Sequence, residues 1–300
     1  MQSRSRPDFL IVGAPKCGTT AMCRYLAAHP DIFVAERKDL HFFGSDLNFT
    51  QRDRLSWDEY QSHFPTDESA ARTGEASVWY LYSQSAAAEI AAYNKEMRII
   101  VMLRNPIDLM YAHYTQMRFN GLGDEDLTSF EAALAAEPQR AKGRALPTNT
   151  PLPEALLYRR VARLSEQIAR YQEHFPASQI RIILIDDMRS DAAAAYRKTL
   201  KFLDVDPGFQ PDLSPVNTHK TVRSERLRRL ISATPSPLKN LIPRQWRRGV
   251  RKQIHRLNSQ HAKRAPLDPQ LRARLIEEFQ PEVRRLSAQI DRDLSRWMVP

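Results

Sequence analysis

The stretch F9-L-I-V-G13-A-P-K16-C-G18-T19-T20 decides how the rest of the chain is read. Phe9–Gly13 is a short apolar run closed by glycine, the pattern of a parallel strand buried on both faces. Helical spacing follows from about Thr19 to Ala28, with Met22, Tyr25 and Leu26 on one face and His29-Pro30 as the stop. A glycine-containing turn between strand and helix presents backbone N–H groups at the positive end of a helix dipole, where anions bind. Lys16 adds a mobile full charge, and Thr19 and Thr20 add hydroxyl donors. Residues 13–20 therefore read as a phosphate-binding loop. The loop departs from the Walker A pattern, which places lysine directly after the second glycine; here Thr19 stands there and the lysine lies two residues before Gly18. A tight strand–helix turn carrying an exposed lysine is the plain structural alternative.

The alternation continues outward. Strands are expected at 31–34, within 72–82, at 98–103 and at 180–185, with helices at 57–64, 86–93, from Pro106 onward, at 154–175 and at 191–203. Residues 138–153 hold four prolines and Gly143 and read as a surface loop. After Pro215 basic helices are expected, the last over 269–297 with Leu271, Leu275, Phe279, Val283, Leu286, Ile290, Leu294 and Trp297 at helical spacing. The implied fold class is α/β: a three-layer, mostly parallel central sheet with a P-loop-like loop and a helical C-terminal extension. We expect a single domain over 1–300, with 1–215 as the nucleotide-binding core and 216–300 packed on it. Ligands in such sheets bind at the carboxyl ends of the strands.

At 300 residues, 42% hydrophobic and 27% charged, the chain is long and apolar enough to bury a real core. Its longest apolar runs, at 9–14 and 99–103, are far too short for a membrane span, and the N-terminal pattern does not match a secretory signal. Cys17 and Cys23 suggest no disulfide framework, so a cytoplasmic protein is expected. The net charge of +10 is unevenly spread: residues 219–300 carry 20 Lys and Arg against 7 Asp and Glu. Such a region can hold an anionic cofactor or substrate, touch nucleic acid, lie on an acidic membrane, or simply form solvated helix faces. Within it, 239–256 is a basic amphipathic stretch with Trp246 and Ile254 as apolar anchors, suited to an anionic membrane surface and hence a location peripheral to the inner membrane. Nucleic acid is not expected as a partner, because no recognition module or base-stacking pattern accompanies the charge.

Here the chain resembles a family. P15-K16-C-G18-T19-T20 after an apolar strand is similar to the 5′-phosphosulfate loop of sulfotransferases that use 3′-phosphoadenosine-5′-phosphosulfate (PAPS). I99-I-V-M-L-R104-N-P106 resembles their strand–Arg-x-Pro–helix element. K38-D39-L40-H41-F42-F43 resembles the Lys-Glu-x-His-Phe-Phe element of Golgi-type carbohydrate sulfotransferases and their bacterial relatives, and T73-G74-E75-A76-S77 a further segment of theirs. R264-A-P-L-D and the terminal D291-R-D-L-S-R-W resemble the end of bacterial members. The resemblance implies transfer of a sulfuryl group from PAPS to a hydroxyl or amine, with 3′,5′-adenosine bisphosphate (PAP) as product and no metal required. It implies that Lys16, Cys17, Gly18, Thr19 and Thr20 hold the 5′-phosphosulfate and that Arg104 holds the 3′-phosphate, with help from Lys220 or Arg223. Lys16 is the candidate for stabilising the leaving oxygen. For the base, the resemblance points to Asp39 first, one methylene shorter than the family's glutamate, and His41 second. A saccharide, a lipid-linked sugar or another small molecule is the expected acceptor.

Three positions depart from the family pattern. Ala112 replaces a serine expected eight residues after Arg104, Ala76 follows Glu75 where many members have lysine, and Asp39 replaces glutamate. Two other readings stay open. A P-loop kinase or nucleotidase draws support from Asp186-Asp187 after an apolar strand, which resembles a magnesium-holding Walker B end. A catalytically impaired nucleotide-binding relative is the other.

Overall fold

The computed structural model describes residues 6–50, 53–65, 70–120, 124–148, 150–214 and 264–299, together with the backbone of 220–222 and 259–261. Five strands form one parallel sheet in the order β2-β3-β1-β4-β5: β1 Phe9–Gly13, β2 Ile32–Val34, β3 Arg72–Ala76, β4 Arg98–Leu103 and β5 Ile180–Leu184. The strand at the centre is the one read first. Phe9, Leu10, Ile11 and Val12 have no exposed surface, because helices cover both faces of the sheet, which is why the run is apolar without alternation. From β1 the chain moves to one side, through β2 and β3, and then crosses back to β4 and β5. The reversal opens a crevice beside the carboxyl end of β1, the usual ligand position in open α/β sheets.

The helices between them are α1 Thr19–Ala27, α2 Trp57–Gln61, α3 Ala86–Tyr93, α4 Pro106–Asn120, α5 Phe130–Arg140, α6 Tyr158–Val161, α7 Leu164–Gln172, α8 Ile185–Ser190 and α9 Ala192–Leu203. Pro106 opens α4, where its missing N–H costs nothing, and Asn105 Oδ1 caps the turn by accepting from the Ile107 N–H at 2.9 Å. The helix α5 runs through Pro138 to Arg140, so the surface loop starts later than its prolines suggest.

The single helix expected over 154–175 is instead three pieces: a 3-10 turn at Pro153–Leu156, then α6 and α7. Leu157 and Arg163, which flank the new starts, have ψ of 68° and 72° and interrupt the helical path. Carboxylates from distant elements satisfy the N–H groups so exposed. Glu137 of α5 accepts from the Arg159 N–H at 2.8 Å, and Glu282 accepts from the Ser165 N–H at 2.7 Å. Capping from outside offsets the loss of helical hydrogen bonds, and no local sequence pattern records it.

The C-terminal region differs in part from a run of basic helices. Lys220–Val222 (β6) and Ser259–His261 (β7) pair as an antiparallel ribbon. The final helix, α10, spans Pro269–Gln289 and packs against α4 and α7 through Leu271, Leu275, Phe279, Val283 and Leu286. It stops well before Trp297; Asp291 takes a left-handed φ of 51°, and a 3-10 turn covers Ser295–Met298. Residues 239–256, expected to be a basic amphipathic helix, lie outside the described residues. Among the described residues no helix is long and apolar enough to cross a membrane.

Candidate functional site: a cation cluster at the carboxyl edge

The carboxyl ends of β1, β2 and β4 release the loops that carry Lys16, Lys38–His41 and Arg104. Gly13 ends β1 at φ 150°, and a Cβ there would meet the Leu81 Cβ and the Val78 carbonyl oxygen, each at 2.8 Å, so only glycine fits. Gly18 precedes α1 at φ 90° and leaves the helix without a side-chain cap. Ala21 and Met22 donate their N–H groups to the Gly18 carbonyl at 3.0 and 3.2 Å, and no side chain caps the turn, which suits the preceding N–H groups of this helix start to an anion.

Four cations converge on this helix start. Lys38 Nζ donates to the hydroxyls of Thr19 at 2.8 Å and Thr20 at 3.1 Å. Arg104 reaches the carbonyl oxygen of Lys16 at 3.5 Å, while its buried Nε has no hydrogen-bond partner among the described residues. Arg264 donates from Nε to the Thr115 hydroxyl at 3.0 Å and lies over the Tyr111 ring at 5.8 Å. Lys16 Nζ donates to Gln116 Oε1 at 2.9 Å. Burial, then repulsion from Arg264, Arg104 and Lys38, pulls the Lys16 ammonium down from 10.5 to about 8. Burial is also the leading cause that lowers Arg104 and Arg264. Asp108 acts on both Arg104 and Arg264, and Asp186 on Arg104; four cations packed together are suited to an anion with several negative charges. The Cys17 side chain, in contrast, is a buried thiol pushed up to about 12 by desolvation and serves as packing, which leaves only its backbone to face the loop.

The loop after β2 lies beside this cluster. Asp39 has a φ of 60°; its N–H donates to the Ala76 carbonyl at 2.8 Å and its Oδ1 accepts from the Val78 N–H at 3.2 Å. His41 has a φ of 51°, only 7% exposure, and a ring stacked on Phe49 at 4.2 Å. Its buried Nδ1 has no hydrogen-bond partner among the described residues.

Sequence reasoning is corrected at one point and extended at two others. Asp186 and Asp187 are not a free magnesium-holding strand end: both fall in α8, where Asp186 accepts from the Trp297 indole at 2.8 Å and Asp187 pairs with Arg292 at 2.8 Å. Their work is to anchor the C-terminal segment. Beside Arg104, where Lys220 or Arg223 is expected, the described side chains include Arg264, whose charge acts on it. Lys220 lies in β6 with only its backbone described, and Arg223 lies outside the described residues. Ala112 is fully buried in α4, and Thr115 one turn further along supplies a hydroxyl, which binds Arg264. Lys38 and Arg264 are the cations that sequence reasoning did not place in the site. Among the described residues no three His, Cys, Asp or Glu side chains are grouped to hold a metal ion.

A parallel α/β sheet with four cations beside a helix start at its carboxyl edge is an arrangement suited to an anionic ligand. Residues 6–230 match the sulfotransferase domain, and the chain belongs to the sulfotransferase family. A sulfotransferase from Alicyclobacillus acidocaldarius shares the fold over 98% of this chain and 100% of its own, at 28% identity and a TM-score of 0.74. Bifunctional heparan sulfate N-deacetylase/N-sulfotransferase 1 of Caenorhabditis briggsae is 25% identical over 224 residues, 72% of this chain and 24% of its own. Heparan sulfate glucosamine 3-O-sulfotransferase 3B1 of Mus musculus is 27% identical over 201 residues, 67% of this chain and 47% of its own. The chain thus spans less than half the length of these two curated relatives.

Proposed function

We propose that this chain is a sulfotransferase that moves the sulfuryl group of PAPS to a hydroxyl or amine of a saccharide, lipid-linked sugar or similar small acceptor. The observation that carries the reading is the charge-frustrated cluster: Lys16 held at about 8 by burial and by Arg264, Arg104 and Lys38. Bound PAPS supplies an activated sulfuryl group on a phosphate leaving group. The chain's part is to bind, orient and move a proton. Lys16, Cys17, Gly18, Thr19 and Thr20 form the cradle for the 5′-phosphosulfate, with Lys38 holding the two threonine hydroxyls. Because those oxygens accept from Lys38, their own hydrogens are directed elsewhere, toward an incoming anion. Arg104 and Arg264 are assigned to the 3′-phosphate, and Lys16 to the oxygen on which negative charge grows.

Asp39 is assigned as the base that accepts the acceptor's proton, its carboxylate oriented by the Val78 N–H. His41 ranks second, since its ring is nearly buried beneath Phe49. Saccharide acceptors are supported by the similarity to heparan sulfate sulfotransferases. One domain, with α10 bound to the core, and a cytoplasmic setting in keeping with two free cysteines complete the reading. Contact of 239–256 with an anionic membrane surface is also part of the proposal.

A sulfate-transfer assay with PAPS over an acceptor panel tests it. Asp39→Asn should lose turnover by roughly 100-fold or more while keeping PAP affinity. Full turnover in that variant would remove Asp39 as the base.

A further inference from the structure

Asp39 and His41 hold left-handed backbone, at φ 60° and 51°, which L side chains keep only when their surroundings fix it. The surroundings here are side chains gripping the loop's own N–H groups. The His41 N–H donates to Ser77 Oγ at 3.1 Å, and the Phe42 and Phe43 N–H groups donate to the Tyr80 hydroxyl at 2.9 and 3.4 Å. The Gly44 and Ser45 N–H groups end on the Glu89 carboxylate at 2.7 and 2.9 Å. Two of these anchors lead inward to one group. The Ser77 hydroxyl donates to Glu75 Oε2 at 2.8 Å, and the Tyr80 hydroxyl faces the same carboxylate.

Glu75, one residue before the end of β3, has no exposed surface, so no acceptor can reach it and it cannot itself be the base. Its chemistry acts at one remove. A serine hydroxyl has a single hydrogen; to accept from the His41 N–H, it must aim that hydrogen elsewhere. An ionised carboxylate only accepts, so it fixes the hydroxyl in the one direction that leaves a lone pair on His41. We propose that Glu75 is a positioning residue that, through the Ser77 hydroxyl, holds the loop bearing Asp39 and His41 in its working conformation. The proposal rests on the sulfotransferase reading and on Asp39 as base.

Burial raises the Glu75 carboxyl to about 7, with the Tyr80 and Ser77 hydroxyls and Lys38 pulling down and Asp39 pushing up. Tyr60 of α2, Tyr171 of α7 and Cys23 of α1 also face it. A protonated Glu75 can donate to Ser77 and turn the hydroxyl hydrogen onto the His41 N–H, which loosens the loop. Turnover should therefore be lost as pH falls through about 7, and removal of the Ser77 hydroxyl should weaken that limb.

The test uses the full chain with PAPS and an acceptor that the wild type sulfates, comparing Glu75→Gln, Ser77→Ala and the double variant. Each single variant should lose roughly 10- to 100-fold in kcat, with PAP Kd by calorimetry unchanged within about twofold. The double variant should lose clearly less than the product of the two single losses, since both act on the Ser77 link, and Ser77→Ala should show a smaller acid limb than the wild type. Wild-type turnover in the single variants, additive losses in the double, or an acid limb of undiminished size in Ser77→Ala would overturn the proposal. So would loss of PAP binding in both singles, which would make the cluster a support of the whole fold. A wild type that binds PAP but transfers no sulfate would instead overturn the sulfotransferase reading, and this proposal with it.

Discussion

Lys38 Nζ donates to the Thr19 hydroxyl at 2.8 Å, joining the loop after β2 to the first turn of α1. The next residue is Asp39, so one side chain links the phosphate cradle to the assigned base. The proposed donor and acceptor sites are thereby joined through two bonds, one to each threonine.

Lys38→Met keeps the length of the side chain and removes the charge. It should weaken PAP by about tenfold, the worth of a charge-assisted hydrogen bond, and lower kcat as well. Calorimetry and a transfer assay on the same preparation separate the two losses. A variant with normal PAP affinity would detach Lys38 from the cradle.

Arg104→Ala and Arg264→Ala address the 3′-phosphate. Each should weaken PAP by roughly 10- to 100-fold yet change adenosine 5′-phosphosulfate, which lacks that phosphate, by much less. Competition binding with both nucleotides reads the difference. Equal losses for the two nucleotides would move the arginine to the 5′ side or to a purely structural role.

Lys16 should make donor binding depend on pH in a defined direction. In the free protein its ammonium is held down to about 8; a bound anion restores the charged form and raises it. PAP affinity is then full below pH 8 and falls above it, by up to about tenfold per pH unit, as free Lys16 loses its proton. Near pH 8 binding takes up protons, seen as a calorimetric enthalpy that changes with the buffer. Lys16→Arg, charged throughout this range, should remove the dependence. Its persistence in that variant would assign the titration to another group.

The parts of this protein that sequence reasoning reached are those written locally. Strand, glycine, lysine and helix start follow one another within residues 9–20, and Arg104 sits between a buried strand and a proline-opened helix. Each carries its own physical signature. Arg264 does not. It is one of 20 basic residues in the last 82, and only the path of the chain past α4 brings it to Arg104. The division of 154–175 was hidden for the same reason, because the apolar spacing runs on while the caps, Glu137 and Glu282, come from α5 and α10. Asp186 and Asp187 mislead in the opposite way: after an apolar strand they look like metal ligands, and Trp297 and Arg292, more than 100 residues later, use them instead.

Titration of the purified chain with PAP, and separately with ATP plus magnesium, reads the cation cluster most directly. A site built from Lys16, Lys38, Arg104 and Arg264 should bind PAP tightly without added metal, at least tenfold tighter than Mg·ATP, about 1.4 kcal/mol or more. A preference for Mg·ATP, or PAP binding that required magnesium, would contradict the assignment of these cations to a 3′-phosphorylated sulfuryl donor.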